Sequence, residues 1–136
     1  MRFLFAPMIL MLVALAACAP APSQQVDQAS DGYRTMDVRQ LHTELQSKDF
    51  VFVNVHIPFE GDIAGTDLSI PYDKITQPDN LSLLPADKNA KIVLYCRSGR
   101  MSAIAAQALA EQGYTNVWDI PGGMVEWEAA GFDLQR

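Results

Sequence analysis

Ile92-Val93-Leu94-Tyr95-Cys96-Arg97-Ser98-Gly99-Arg100-Met101-Ser102 is the stretch on which the fold turns. Its first four residues are apolar without alternation, the pattern of a strand covered on both faces, as in a parallel sheet. From Met101 to Gln112 the period becomes helical. Met101, Ile104, Ala105, Ala108 and Leu109 fall on one face, and Gly113 stops the run. Strand, tight loop and helix in that order put Cys96 at the carboxyl end of a buried strand, the edge where open α/β sheets form their sites. A loop that ends at a helix start aims backbone N–H groups inward, and Gly99 permits the curvature. Those donors and the helix dipole favour an anion, here the thiolate of Cys96. Arg97 and Arg100 add positive charge that needs no proton uptake. Such a pocket suits a small anion meeting a sulfur nucleophile.

The surrounding chain fits the same architecture. Phe50-Val51-Phe52-Val53-Asn54-Val55 is a second apolar, β-branched run, broken only by Asn54. Upstream, Asp37 is placed to cap a helix, with Gln40 completing a box-like pair, and Val38, Leu41 and Leu45 share a face. Downstream, Val117-Trp118 reads as a short strand. Gly122-Gly123 opens a last helix that carries Val125 and Trp127 and ends at Gly131. Between residues 61 and 90 periodicity is weak, with Pro71, Pro78 and Pro85 marking turns and Leu68-Ser69-Ile70 a candidate strand. Helices alternating with buried strands predict an α/β fold in one domain, a central parallel sheet with helices on both faces.

The whole chain has 136 residues, 49% hydrophobic, with 10 Lys+Arg against 16 Asp+Glu, a net charge of −6. Its acidity excludes a general nucleic-acid binder, since no basic stripe is available to displace phosphate counterions. With 8 Gly, 8 Pro and 2 Cys and no repeat, collagen-like, coiled-coil and disulfide-framework classes are also excluded. The apolar residues are unevenly spread: all of residues 1–17 are apolar except Arg2 and Pro7. A basic start followed by an apolar run shorter than the ~20 residues of a membrane span predicts an export signal. Leu15-Ala16-Ala17-Cys18 resembles the bacterial lipobox, which implies cleavage before Cys18 and lipidation of its thiol. Ala19 after that cysteine implies the periplasmic face of the outer membrane in a two-membrane source, and otherwise the outer face of the cell membrane. Residues 18–32 have linker composition, so the expected division is a signal at 1–17, a lipidated tether at 18–32 and a folded domain at 33–136. That leaves Cys96 as the one thiol of the exported domain, without a disulfide partner.

Several segments together resemble one family. Cys96-Arg97-Ser98-Gly99-Arg100-Met101-Ser102-Ala103 after an apolar strand is similar to the active-site loop of the rhodanese (sulfurtransferase) domain. Leu84-Pro85-Ala86-Asp87-Lys88 resembles the family's approach to that loop. Gly113-Tyr114-Thr115-Asn116-Val117 and Gly122-Gly123-Met124, with Trp127, Gly131 and Phe132, resemble its C-terminal pattern. The resemblance implies a rhodanese-like fold and transfer of a sulfane sulfur, from a small anionic donor such as thiosulfate to cyanide or a thiol, through a persulfide on Cys96. It implies no cofactor. Backbone N–H groups from Arg97 through Met101 would cradle the sulfur, Arg97 and Arg100 would bind the sulfonate, and Ser102 would bond into the loop or cap the helix. The chain departs from the pattern at Asn54-Val55-His56, where the family has Asp-x-Arg, although Pro58 and Glu60 match. The family's ion pair is therefore expected to be absent here. His56, near a strand's carboxyl end, is a candidate accessory base or donor together with Asn54, against a plainer reading as a surface or backbone-bonded histidine. His42 has no motif around it and reads as structural or exposed.

Other chemistries fit less well. Cysteine-dependent phosphatases share the loop logic but carry an Arg six positions after the Cys, where this chain has Ser102. One domain cysteine and two scattered histidines give no metal-ligand spacing, and Cys-x-x-Cys, the thiol-disulfide pattern, is missing. The non-enzymatic alternative is a lipid-tethered rhodanese-like module in which Cys96 binds or senses sulfur species without turnover.

Overall fold

Both continuous apolar runs are strands, and they lie side by side at the middle of one parallel sheet. The structure, a computed structural model, describes residues 32–136; the expected export signal, Cys18 and the linker as far as residue 31 lie outside the described residues. Along the chain come β1 (Arg34–Thr35), α1 (Val38–Glu44), β2 (Val51–Asn54), β3 (Asp62–Ile63), β4 (Leu68–Ser69) and α2 (Pro78–Leu81). Then follow β5 (Ile92–Tyr95), α3 (Arg100–Glu111), β6 (Val117–Asp119), α4 (Gly123–Ala129) and β7 (Leu134–Gln135). Five strands form a sheet in the order β1-β6-β5-β2-β4, with every pair parallel. The other two, β3 and β7, make a small antiparallel ribbon beside it. Among the described residues no helix is long and apolar enough to cross a membrane.

Each central strand feeds two cores, because successive side chains point to opposite faces. On one face Ile92 and Leu94 of β5 join Val53 and Val55 beneath Ala105, Ala106 and Leu109 of α3. On the other, Val93 and Tyr95 join Phe52 beneath Leu41 of α1 and Met124 and Trp127 of α4. Burial on both faces explains why these strands lack alternation. This is the expected α/β fold, one domain with helices on both faces of a parallel sheet.

Local details differ from expectation in instructive ways. Asp37 caps α1, its Oδ1 accepting the N–H groups of Arg39 and Gln40, each at 2.8 Å. Gln40 does not complete a box, because its amide turns forward to Glu44 Oε1 at 3.0 Å. Leu45 packs against the core from a 3₁₀ turn just past α1. The strand expected at 50–55 pairs over Val51–Asn54, and the one at 68–70 over Leu68–Ser69. His42 is structural, stacked on Phe132 with ring centroids 4.1 Å apart.

The register fixes where chemistry can gather. Asn54 pairs with Tyr95, and Leu94 with Asp119, so β2, β5 and β6 end at one edge of the sheet. Cys96, Asn54 and Asp119 therefore arrive at the same rim, the carboxyl edge that binds ligands in such folds.

Candidate active site at the Cys96 loop

Cys96 follows β5 directly and is 1% exposed. The chain then turns through Arg97, Ser98 and Gly99 into α3. Gly99 holds φ +96°, a left-handed conformation that favours glycine, and its N–H donates to Cys96 Sγ at 3.0 Å. The Ser102 hydroxyl, fully buried in the first turn of α3, lies 3.5 Å from Sγ and 3.2 Å from the Gly99 carbonyl. The sulfur thus faces two donors at the positive end of a 12-residue helix. Gly99 is the helix N-cap and makes no side-chain cap, so Ser102 serves the loop and is not a cap. Of the amides from Arg97 through Met101, that of Gly99 reaches the sulfur; Ser98 is exposed at the loop tip.

The loop is held from below by the start of α4. Met124 and Val125 N–H donate to the carbonyls of Cys96 and Arg97, both at 3.0 Å. The approach is so close that a Cβ on Gly123 would meet the Cys96 carbonyl oxygen at 2.3 Å, and one on Gly99 would meet that of Pro121 at 1.9 Å. Gly122-Gly123, far from Cys96 in sequence, is thus part of the same backbone joint.

Both loop arginines are exposed at the rim, and each has a partner. Arg97 Nη1 donates to Glu60 Oε1 at 2.9 Å, and the Arg100 guanidinium lies 5.7 Å from the centroid of the Tyr72 ring. The other Glu60 oxygen meets His56 Nε2. His56 is buried, and its Nδ1 has no hydrogen-bond partner among the described residues. In place of the family's Asp-x-Arg pair, His56 meets Glu60 four residues on, with Arg97 as a third member. His56 is neither on the surface nor bonded to backbone through its ring, and neither of its nitrogens bonds Cys96.

Asn54 supports this segment. Its amide nitrogen donates to the Gly61 carbonyl and to Asp62 Oδ1, both at 2.9 Å, while its oxygen accepts His56 N–H at 3.0 Å. An aspartate at position 54 would set a buried carboxylate against the carboxylate of Asp62 and a carbonyl, with no donor for either contact. The Tyr95 hydroxyl adds a second tie. It accepts from Ile63 N–H at 3.0 Å, donates to Asp62 Oδ1 at 3.1 Å and lies 2.8 Å from Thr66 Oγ1. Burial holds that phenol well above its ordinary range.

One further ionisable group ends a strand at the same edge of the sheet. Asp119 is 3% exposed, and burial pushes its carboxyl up to about 6. Among the described residues no group of three or more His, Cys, Asp or Glu side chains is placed to hold a metal ion.

A family model, the rhodanese-like domain, matches residues 24–130. The chain belongs to that family. This rhodanese-like domain is 35% identical over 103 residues to the probable adenylyltransferase/sulfurtransferase MoeZ of Mycobacterium tuberculosis, covering 74% of the chain and 26% of that protein. It is 31% identical over 103 residues to the tRNA uridine(34) hydroxylase of Erwinia tasmaniensis, covering 73% and 29%. The chain thus spans less than a third of these relatives' length. A rhodanese-related protein from Thermoplasma volcanium, 26% identical, superposes with a TM-score of 0.62 over 75% of this chain and 97% of that one.

In this rhodanese-like domain the structure brings together Cys96, Gly99 and Ser102, which sequence reasoning had singled out, and sets Arg97 and Arg100 at the rim. Two members were missed. Glu60 was read as a pattern match but not as the partner of Arg97, because pairing across 37 residues leaves no local signal. Asp119 was not singled out at all, although it ends a strand at the same carboxyl edge that drew attention to Cys96.

Proposed function

We propose that the protein is a sulfurtransferase of the thiosulfate type, working through a persulfide on Cys96. The Cys96 thiolate attacks the outer sulfur of a small anionic donor. The sulfur–sulfur bond of the donor breaks, and its electron pair leaves with sulfite. Cyanide or a thiolate then attacks the outer sulfur of the persulfide, and the Cys96 thiolate departs with the bonding pair. The observation that carries this reading is the pair of donors, Gly99 N–H and the Ser102 hydroxyl, aimed at a buried sulfur at the start of α3. Arg97 and Arg100 take up the negative charge of the sulfonate as sulfite leaves. The position where a phosphatase needs its arginine holds Ser102, turned towards the sulfur, so phosphate-ester chemistry has no clamp. A second reading, a tethered module that binds or senses sulfur species without turnover, draws support from Glu60, whose carboxylate already engages Arg97. Exposure to thiosulfate separates them: turnover loads one sulfur atom onto Cys96 that cyanide removes as thiocyanate.

The exported, lipid-anchored location belongs to the same proposal and rests on residues 1–18 alone, where Leu15-Ala16-Ala17-Cys18 follows an apolar signal-like run. Expression of Cys18→Ala in a bacterial host is expected to move the protein out of the detergent-soluble membrane fraction or leave it unprocessed. Unchanged membrane partition would contradict the anchor.

A further inference from the structure

The loop sequence offers two cations to an anionic donor, but the structure does not leave them equally available. Arg97 Nη1 donates to Glu60 Oε1 at 2.9 Å. The other oxygen of that carboxylate meets His56 Nε2, so each oxygen has its own partner. Behind them the His56 ring is buried, and its backbone N–H donates to Asn54 Oδ1 at 3.0 Å. Asn54, His56, Glu60 and Arg97 thus form a continuous run from the end of β2 to the rim. One imidazole nitrogen occupies a single carboxylate oxygen, whereas a guanidinium can take both. Histidine at position 56 therefore leaves Oε1 open for Arg97. Anchorage on a buried ring also fixes the carboxylate in advance, which lowers the entropy lost in forming a pair at the surface.

Arg100 stands differently. Its guanidinium lies 5.7 Å from the centroid of the Tyr72 ring, a contact that does not cancel its charge. No carboxylate among the described residues forms an ion pair with it. The small cleft beside Arg97 supplies no spare charge either: it is bordered by Glu60, Glu128 and Arg136, and Arg136 Nη2 donates to Glu128 Oε1 at 2.7 Å.

We propose that Glu60 is a specificity-determining residue that sets the charge of the donor: it cancels Arg97 and leaves Arg100 as the cation that recognises the anion. A sulfonate reaches Arg97 only by displacing Glu60. The rim is accordingly matched to a singly charged sulfane-sulfur donor more closely than two arginines in the loop imply. This deepens the sulfur-transfer reading and rests on it for the nature of the anion.

Alkylation of Cys96 in the full chain, followed at the Cys96 peptide at one fixed pH and low salt, tests the charge without any sulfur donor. Failure of the sulfur-transfer reading would therefore leave the outcome untouched. The rate with iodoacetate, an anion, is compared with the rate with neutral iodoacetamide. Both reagents consume the same thiolate, so their ratio reports the charge met on the way to the sulfur. Glu60→Gln is nearly isosteric, keeps an oxygen for His56 and turns an amide towards Arg97, which ends the ion pair. It is expected to raise the iodoacetate-to-iodoacetamide ratio about two- to fivefold, the range of one exposed ion pair. Arg97→Gln should lower the ratio by a similar factor, because the Glu60 carboxylate is then uncancelled. With both charges gone, the double variant should return to within about twofold of wild type. Arg100→Gln should fall below wild type by about twofold or more. A double variant below that twofold range would mean that Arg97 meets the anion unhindered, and would overturn the proposal. An unchanged ratio in Glu60→Gln or Arg100→Gln, or a Cys96 that neither reagent reaches, would overturn it equally.

Discussion

Cys96→Ser is expected to abolish thiocyanate formation from thiosulfate and cyanide, by about a thousandfold or more, as removal of a nucleophile does. The substitution is chosen because it leaves the site standing. Cys96 is 1% exposed and sits within the apolar cluster, and a serine of nearly the same shape finds the Gly99 N–H and the Ser102 hydroxyl already in place as partners. The buried hydroxyl is therefore satisfied, and the melting temperature should fall by only a few degrees. Loss of turnover with retained folding assigns the chemistry to the sulfur. An undiminished rate in a folded Cys96→Ser protein would move the chemistry elsewhere in the chain.

Gly99→Ala is the second large effect, and it reaches stability and turnover together. At φ +96° a Cβ is strained by roughly 1–2 kcal/mol. Here it would also stand 1.9 Å from the Pro121 carbonyl oxygen and 2.8 Å from the Pro121 carbonyl carbon. Neither neighbour is a flexible side-chain end. The loop or the β6–α4 connection must shift, and either movement draws the Gly99 N–H away from the sulfur. The expected loss is about 2 kcal/mol or more, a fall of roughly 10 °C for a domain of this size. Turnover should drop at least about tenfold in the protein that remains folded. Gly113→Ala supplies the contrast: Gly113 has φ +90°, but nothing lies within 4 Å of its would-be Cβ. That variant should show the backbone strain alone and keep its sulfur chemistry. Equal melting and turnover in Gly99→Ala and wild type would contradict the close joint between the two loops.

The parts of this fold legible in the sequence are those in which one physical signal dominates. β2 and β5 are buried on both faces, which writes itself as an uninterrupted apolar run, and α3 has twelve residues in which a helical period can develop. β1, β3 and β7 contain two residues each, too few for any period, and they exist because neighbouring chain supplies hydrogen bonds to them. The Gln40 side chain was decided locally instead, by a glutamate one turn ahead in the same helix that offered an acceptor.

At the site the same division holds. Cys96, Gly99 and the arginines are contiguous, so strand, loop and helix could be read together. The departure at 54–56 was legible as a departure, but its meaning was not. Asn54 is the donor that a neighbouring Asp62 requires, and His56 meets Glu60 in the place of a permanent cation. Asp119 lies 23 residues after Cys96 in sequence, and the parallel register of β5 and β6 is what brings it to the same edge of the sheet.

The central claim is that sulfur passes through Cys96, and intact-protein mass spectrometry after brief exposure to thiosulfate tests it most directly. The expected result is a species heavier by one sulfur atom, located on the Cys96 peptide and discharged by cyanide with one thiocyanate released per protein. No added sulfur on Cys96, with no thiocyanate formed, would contradict the transfer reading and leave a module that binds sulfur species without turning them over.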